Sequence, residues 1–117
     1  MSVHDHSAER EAYLDLVRGG GHGAVAATRG AVPIIFPVTF ELSGDRLTFE
    51  VSSPDAADPQ LDGSVVAFDT ACVDGESGLL WHVHVLGVAL EIGPARSGRP
   101  SRFALSTDMI SGWIGDV

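Results

Sequence analysis

Two hydrophobic periods divide the chain. Up to about Arg18 the apolar residues Ala8, Ala12, Leu14, Leu16 and Val17 suit a short helix; Ser7 is placed to cap it, and Glu9 and Glu11 suit the positive end of its dipole. The run Gly19-Gly20-Gly21-His22-Gly23 ends that helix. From Ala24 the period becomes two, which predicts strands near Gly23–Arg29, Pro33–Leu42, Arg46–Ser53, Val65–Thr70, Leu79–Ile92 and Arg102–Ser106, with Ile110–Ile114 a candidate for one more. In the second strand Phe36, Val38, Phe40 and Leu42 share one face, and Ile35, Pro37, Thr39 and Glu41 share the other. Gly30-Ala31 joins the first two strands. Ser43-Gly44-Asp45 then forms a hairpin turn, after which Leu47, Phe49 and Val51 continue the inward face.

Leu79–Ile92 is long for one strand. Gly87 within it predicts a bulge or bend of the kind that closes barrels, and its later part is apolar on both faces, which points to cover by a second chain. Pro54–Asp62, with two Pro and three Asp among small residues, predicts a surface loop or brief helical turn, and Pro94–Pro100 a loose linker.

The 117 residues fit a single domain, 1–117, and 44% apolar with 20% charged residues is an ordinary globular balance. Charge narrows the partners. The net charge is −9, and the seven basic residues are all Arg and scattered, which argues against nucleic acid and anionic membranes. The absence of Lys excludes a P-loop and a pyridoxal phosphate Schiff base, so the glycine run reads as a helix-to-strand connector. Cys72 is the single cysteine, reads as a small buried hydrophobe and makes no internal disulfide. The polar start lacks a basic-then-apolar leader, and no apolar run approaches the roughly 20 residues that span a bilayer. A cytoplasmic location is expected.

His82 and His84 lie two apart on a strand, hence on one face, as imidazole metal ligands can. A third ligand is needed. His22 and Glu91 are the candidates, but the cupin spacing fails, so the pair reads as histidines on an exposed or interface face and no metal is expected. His4 and His6 sit at the terminus. No Gly-x-Ser-x-Gly elbow occurs. Trp81 and Trp113 read as core or dimer-interface residues.

Four segments, in order, carry a resemblance. They are Leu16-Val17 joined through glycines to Ala24-Val25-Ala26; Pro33–Phe40 followed by Gly44–Phe49; Val65–Asp69; and Trp81–Ala89, with Ser111-Gly112-Trp113 near the end. Together they cover most of the chain, which resembles the pyridoxamine phosphate oxidase-like family of flavin-binding split β-barrels, particularly its short actinobacterial-type members. The resemblance implies a mainly β fold, a six-stranded antiparallel split barrel with a short N-terminal helix. It also implies a homodimer with FMN or a deazaflavin in the cleft between the barrels. Pro37, Val38, Thr39 and Phe40 would lie along the flavin ring and Ser52 and Ser53 would hold the phosphate. Trp81 with His82 would sit close to the cofactor from one chain or the other. Hydride chemistry would belong to the flavin, with the substrate left open.

The chain departs from the family where the phosphate would bind. Glu50, Val51 and Ala56 stand where the family usually carries a basic residue, a Thr and a Lys, and Asp55 and Asp58 lie beside them. Like charge there weakens phosphate binding unless Arg29, Arg46 or an Arg of a second copy compensates. The same departure supports a rival reading, a cofactor-free binding or structural dimer that kept the barrel. A His-based metal enzyme on a different small barrel is a third.

Overall fold

The computed structural model describes residues 6–51, 61–94 and 101–116. A helix, α1 (His6–Val17), is followed by strands β1 (Gly21–Arg29), β2 (Val32–Ser43), β3 (Arg46–Val51), β4 (Val65–Val73), β5 (Leu79–Val88), β6 (Leu90–Pro94), β7 (Ser101–Ser106) and β8 (Met109–Asp116). The mainly β, antiparallel fold is as expected. All eight strands form one curled antiparallel sheet in the order β6-β7-β3-β2-β1-β4-β5-β8, an open half-barrel.

Local chemistry explains the elements. α1 buries Leu14 and Val17 and half-buries Tyr13 and Leu16, the spacing of one helical face. Ser7 lies inside its first turn and not before it. Gly20 ends the helix at φ 71°, its amide donating to the Val17 carbonyl at 3.0 Å. Between β1 and β2 the loop residues Gly30 and Ala31 have φ of 56° and 67°, the pair of positive values a two-residue type I′ hairpin requires. Gly44, first of two loop residues between β2 and β3, sits at φ 63°. The meander follows its predicted pattern: Val38, Phe40, Leu42, Leu47, Phe49 and Val51 are buried.

Among the described residues the strand count is eight, which corrects the expected six. The Ile110–Ile114 candidate is part of a full strand, β8, and Leu79–Ile92 is two strands rather than one. The break falls at Ala89, two residues after the predicted bend at Gly87. Ala89 is fully buried; its amide donates to the Ser64 carbonyl at 2.9 Å and its carbonyl accepts from the Gly63 amide at 2.7 Å. There the chain leaves β4's side of the sheet and joins β7's. Gly87 has a different role. A Cβ there would lie 3.0 Å from Leu105 Cδ1, so glycine lets β5 approach β7 across the curl. The bulge comes later, between Glu91 and Gly93.

The core is the inside of the curl. Phe40 and Phe68 meet edge to face at 4.9 Å, and Phe49 and Phe103 stack at 5.4 Å. Helix α1 is seated against the last strand: the Tyr13 hydroxyl donates to the Gly112 carbonyl at 3.0 Å, and the Arg10 guanidinium donates to the carbonyl and, at 2.9 Å, to the hydroxyl of buried Thr107. Among the described residues no helix is long and apolar enough to cross a membrane.

Candidate functional site

Alternate residues of a strand face opposite sides of the sheet, so inner and outer surfaces can be read from the ladders. Of the residues expected at a cofactor site, Pro37, Thr39 and His82 face outward. Val38, Phe40 and Trp81 face inward, the first two buried and Trp81 packed against the core. Ser52 and Ser53, like Asp55, Ala56 and Asp58, lie outside the described residues. Trp81 and His82 are thus on opposite faces of β5. His82 is also three strand spacings from Thr39 in the order β2-β1-β4-β5, roughly 14 Å at about 4.8 Å per strand.

The outer face of β2 and β3 carries a shallow groove of about 220 Å³, lined by the side chains of Thr39, Glu41, Thr48, Glu50 and Arg102. Register creates it: Thr39 stands opposite Glu50, Glu41 opposite Thr48, and Glu50 opposite Arg102. Arg102 Nε lies 3.5 Å from Glu50 Oε1, both side chains being mostly buried. Among the described residues Arg102 is therefore the cation at this groove, where the sequence suggests Arg29 or Arg46. Arg46 lies at the far, hairpin end of β3, and Arg29 at the β1–β2 turn. The backbone of Val38–Phe40 is laddered on both sides, to β1 and to β3, so Thr39 supplies the side-chain hydroxyl at this part of the face.

A second cluster lies across the same outer face. His84 stands opposite Asp69 and His82 opposite Ala71 in the β4–β5 ladder. Both imidazoles turn to one carboxylate oxygen: His82 Nε2 hydrogen-bonds Asp69 Oδ1, and His84 Nδ1 lies 3.3 Å from the same atom. The rings meet edge to face at 3.9 Å. Asp69 is the group that the sequence reading missed when it looked to His22 and Glu91 for a third ligand. The hairpin itself held the signal. Centring the pairing on the Asp74–Gly78 turn, whose ends are tied by the Asp74 amide to the Leu79 carbonyl at 2.8 Å, sets residue 69 against 84.

One smaller expectation changes, and another narrows to its dimer-interface alternative. Cys72 is exposed and not buried, because β4 runs past the end of the core after Thr70. Trp113 is 51% exposed on edge strand β8, outside the core of this chain.

An uncovered apolar stripe also runs along this face. Ile35, Ala26, Ala67, Leu86 and Met109 stand in register on five adjacent strands, with Ile35, Leu86 and Met109 at 71%, 47% and 65% exposure. Val65 and Val88 form a further exposed pair beside it.

Comparison with known proteins agrees with this architecture. A family model described as pyridoxamine 5'-phosphate oxidase matches residues 9–108. The fold is similar to that of an FAD-binding protein from Mycobacterium smegmatis (TM-score 0.68, 20% identity, 90% of this chain and 93% of that one). It is similar to an FAD- and heme-binding protein from the same organism (0.66, 17%, 99% and 76%) and to an FAD-binding protein from Mesorhizobium loti (0.61, 13%, 84% and 87%). At these identities the structural likeness speaks for the fold. No curated protein sequence matches the chain.

Proposed function

Because the chain belongs to the pyridoxamine 5'-phosphate oxidase family, we propose that it is a flavin-binding split-barrel protein whose cofactor site is completed by a second copy. The observation that carries this reading is the groove beside Thr39 together with the stripe next to it. At about 220 Å³ the groove falls below the roughly 300–1,000 Å³ of sites that enclose a drug-sized ligand. Ile35 of the stripe is four residues along β2 from Thr39, about 13 Å away. A second copy covering the stripe would bury the exposed Ile35, Leu86 and Met109 and wall the groove.

The residues present suit one end of a flavin better than the other. Pro37 and Thr39 offer a flat, outward strand surface for the ring, with Val38 and Phe40 holding that strand from the core side. Of Trp81 and His82 only His82 faces outward, and it would meet a ring there only from the second copy, given the strand spacings that separate it from Thr39; Trp81 would support β5 from the core side. Ser52 and Ser53 are the proposed phosphate contacts. Yet a phosphate reaching Arg102 must compete with Glu50, which already occupies it, and with Glu41 across the groove. A bound flavin would supply hydride transfer; the protein's part is to orient the ring and exclude water. We place the protein in the cytoplasm on the cysteine argument: a single Cys72 makes no internal disulfide of the kind that secreted domains use.

The acidic lining of the groove favours one alternative, a barrel dimer that binds no flavin. Titrating riboflavin, FMN and FAD while following flavin fluorescence separates the two. Riboflavin is expected to bind within about threefold of FMN, and Glu50→Gln to tighten FMN selectively by about tenfold, the effect of removing roughly 1.4 kcal/mol of like-charge repulsion. No binding of any of the three at about 100 μM, an affinity weaker than roughly 5.5 kcal/mol, selects the cofactor-free reading. Sedimentation should give twice the 12.2 kDa of one chain; a monomer would remove the walled groove on which the proposal stands.

A further inference from the structure

We propose that Asp69, His82 and His84 form a binding site for a divalent first-row transition ion such as Zn²⁺. One ligand atom from each residue lies within 4.8 Å of the others, a cluster that modest side-chain rotation can draw around one ion with bonds of about 2.0–2.2 Å. Two imidazoles and a carboxylate are ligands such an ion prefers over Mg²⁺ or Ca²⁺, which favour all-oxygen sites.

Three features of the fold support the assignment. The ligands stand on β4 and β5, two paired strands inside the sheet with β1 and β8 on either side, so their Cα positions are fixed by ladders and not by a loop. The positions in register around them are Ala24 opposite Asp69, Ala71 opposite His82, and Ser111 and Trp113 on β8. None of these is a cation that would satisfy Asp69 in place of a metal, and the small ones leave room above the cluster for solvent ligands. The cluster is also half-exposed, with side-chain accessibilities of 36%, 47% and 46% for His82, His84 and Asp69, so an ion can enter from solution and keep an open coordination position. The chain's net charge of −9 favours the approach of a cation.

The alternative is a His–carboxylate hydrogen-bond cluster that holds no ion. Untagged protein, stripped with chelator and dialysed, is titrated with Zn²⁺ by calorimetry and with Co²⁺ by visible absorbance. The expected result is about one ion per chain with a Kd on the order of 1–10 μM, and a Co²⁺ spectrum with imidazole ligands. Asp69→Asn should weaken Zn²⁺ binding by at least about tenfold, and His82→Gln with His84→Gln should abolish it, while circular dichroism confirms that both variants fold. His4→Gln with His6→Gln should leave binding unchanged. No uptake at about 100 μM Zn²⁺, or uptake that survives loss of both His82 and His84, overturns the proposal. Flavin titration of Asp69→Asn, at a residue with no proposed flavin contact, keeps the two readings apart: weakened Zn²⁺ binding with unchanged flavin affinity supports a metal site with its own ligand, and flavin affinity lost to the same degree overturns it.

Discussion

Gly23 faces inward at the point where β1 pairs with β4, and replacing it with Ala tests how tightly the sheet is drawn there. A Cβ at this position would lie 2.7 Å from the Asp69 carbonyl oxygen and 3.0 Å and 3.2 Å from the Phe68 ring. The nearest atom is backbone, so β1 and β4 must separate, and Phe68, fully buried against Phe40, must turn from its seat. Overpacking of this kind costs about 1–3 kcal/mol, and Ala recovers about 0.5–1 kcal/mol by restricting the unfolded chain. Because the closest atom is backbone and cannot rotate away, the upper part of that cost, about 2–3 kcal/mol, applies, and a net loss of about 1–2 kcal/mol remains. With about 2.1 cal/mol/K per residue of unfolding entropy, 117 residues give roughly 0.25 kcal/mol/K, so Tm should fall by about 4–8 °C. Gly75, in the β4–β5 turn, is the control: a Cβ there meets nothing within 4 Å and Ala should leave Tm unchanged or slightly raised. Calorimetric melting of both variants is the assay. If Gly23→Ala melts within about 1 °C of the parent, or Gly75→Ala falls as far, the close approach of β1 and β4 is not what requires glycine.

Further expectations concern the ends of the sheet. Tyr13→Phe removes the hydroxyl that donates to the Gly112 carbonyl at 3.0 Å and should cost about 1 kcal/mol, read as a urea midpoint shift with unchanged slope. Ala31, at φ 67° in the β1–β2 turn, holds a left-handed conformation that costs an alanine about 1–2 kcal/mol; Ala31→Asn should raise Tm and Ala31→Val lower it, and equal Tm values for the three would count against a positive φ there. Asp74 is held below its ordinary carboxyl value, first by the Glu76 amide and then by the Ser77 hydroxyl. Because its folded value is the lower one, the turn's stabilisation is present above the ordinary carboxylate range and is lost as pH falls through the lowered value. An NMR titration should show Ser77→Ala moving Asp74 back toward its ordinary value; no movement would exclude the hydroxyl as a cause.

What the sequence revealed followed local chemistry. Strict alternation from Phe36 to Leu42, closed by Ser43-Gly44-Asp45, fixed the faces of β2 and β3 before any coordinates, since a one-residue slip would have exposed every apolar side chain. Leu79–Ile92 read as one strand because its apolar run continues unbroken through Ala89; the corner is set by Ser64 and Gly63, a contact between segments far apart in the chain. Asp69 and Arg102 were hidden for a related reason. Each meets its partners only through strand register, Asp69 across a hairpin and Arg102 across a pairing of strands 52 residues apart, so neither stands near its site in the linear sequence. Cys72 was misjudged because periodicity predicts the face a residue takes and not how far the core extends along the strand.

The seating of α1 on β8 gives this small protein a demanding schedule during synthesis. Tyr13 and Gly112 are 99 residues apart in the chain. At about 5–20 residues per second the helix waits roughly 5–20 s for the strand it docks against. The corner at Ala89 adds to the delay, since β6 has no partner until β7 has been made and has joined β3. A chain arrested on the ribosome before Ser101 would therefore carry a helix lacking its β8 contacts and an unpaired β6, and chaperones that recognise exposed apolar strands would meet it in that form.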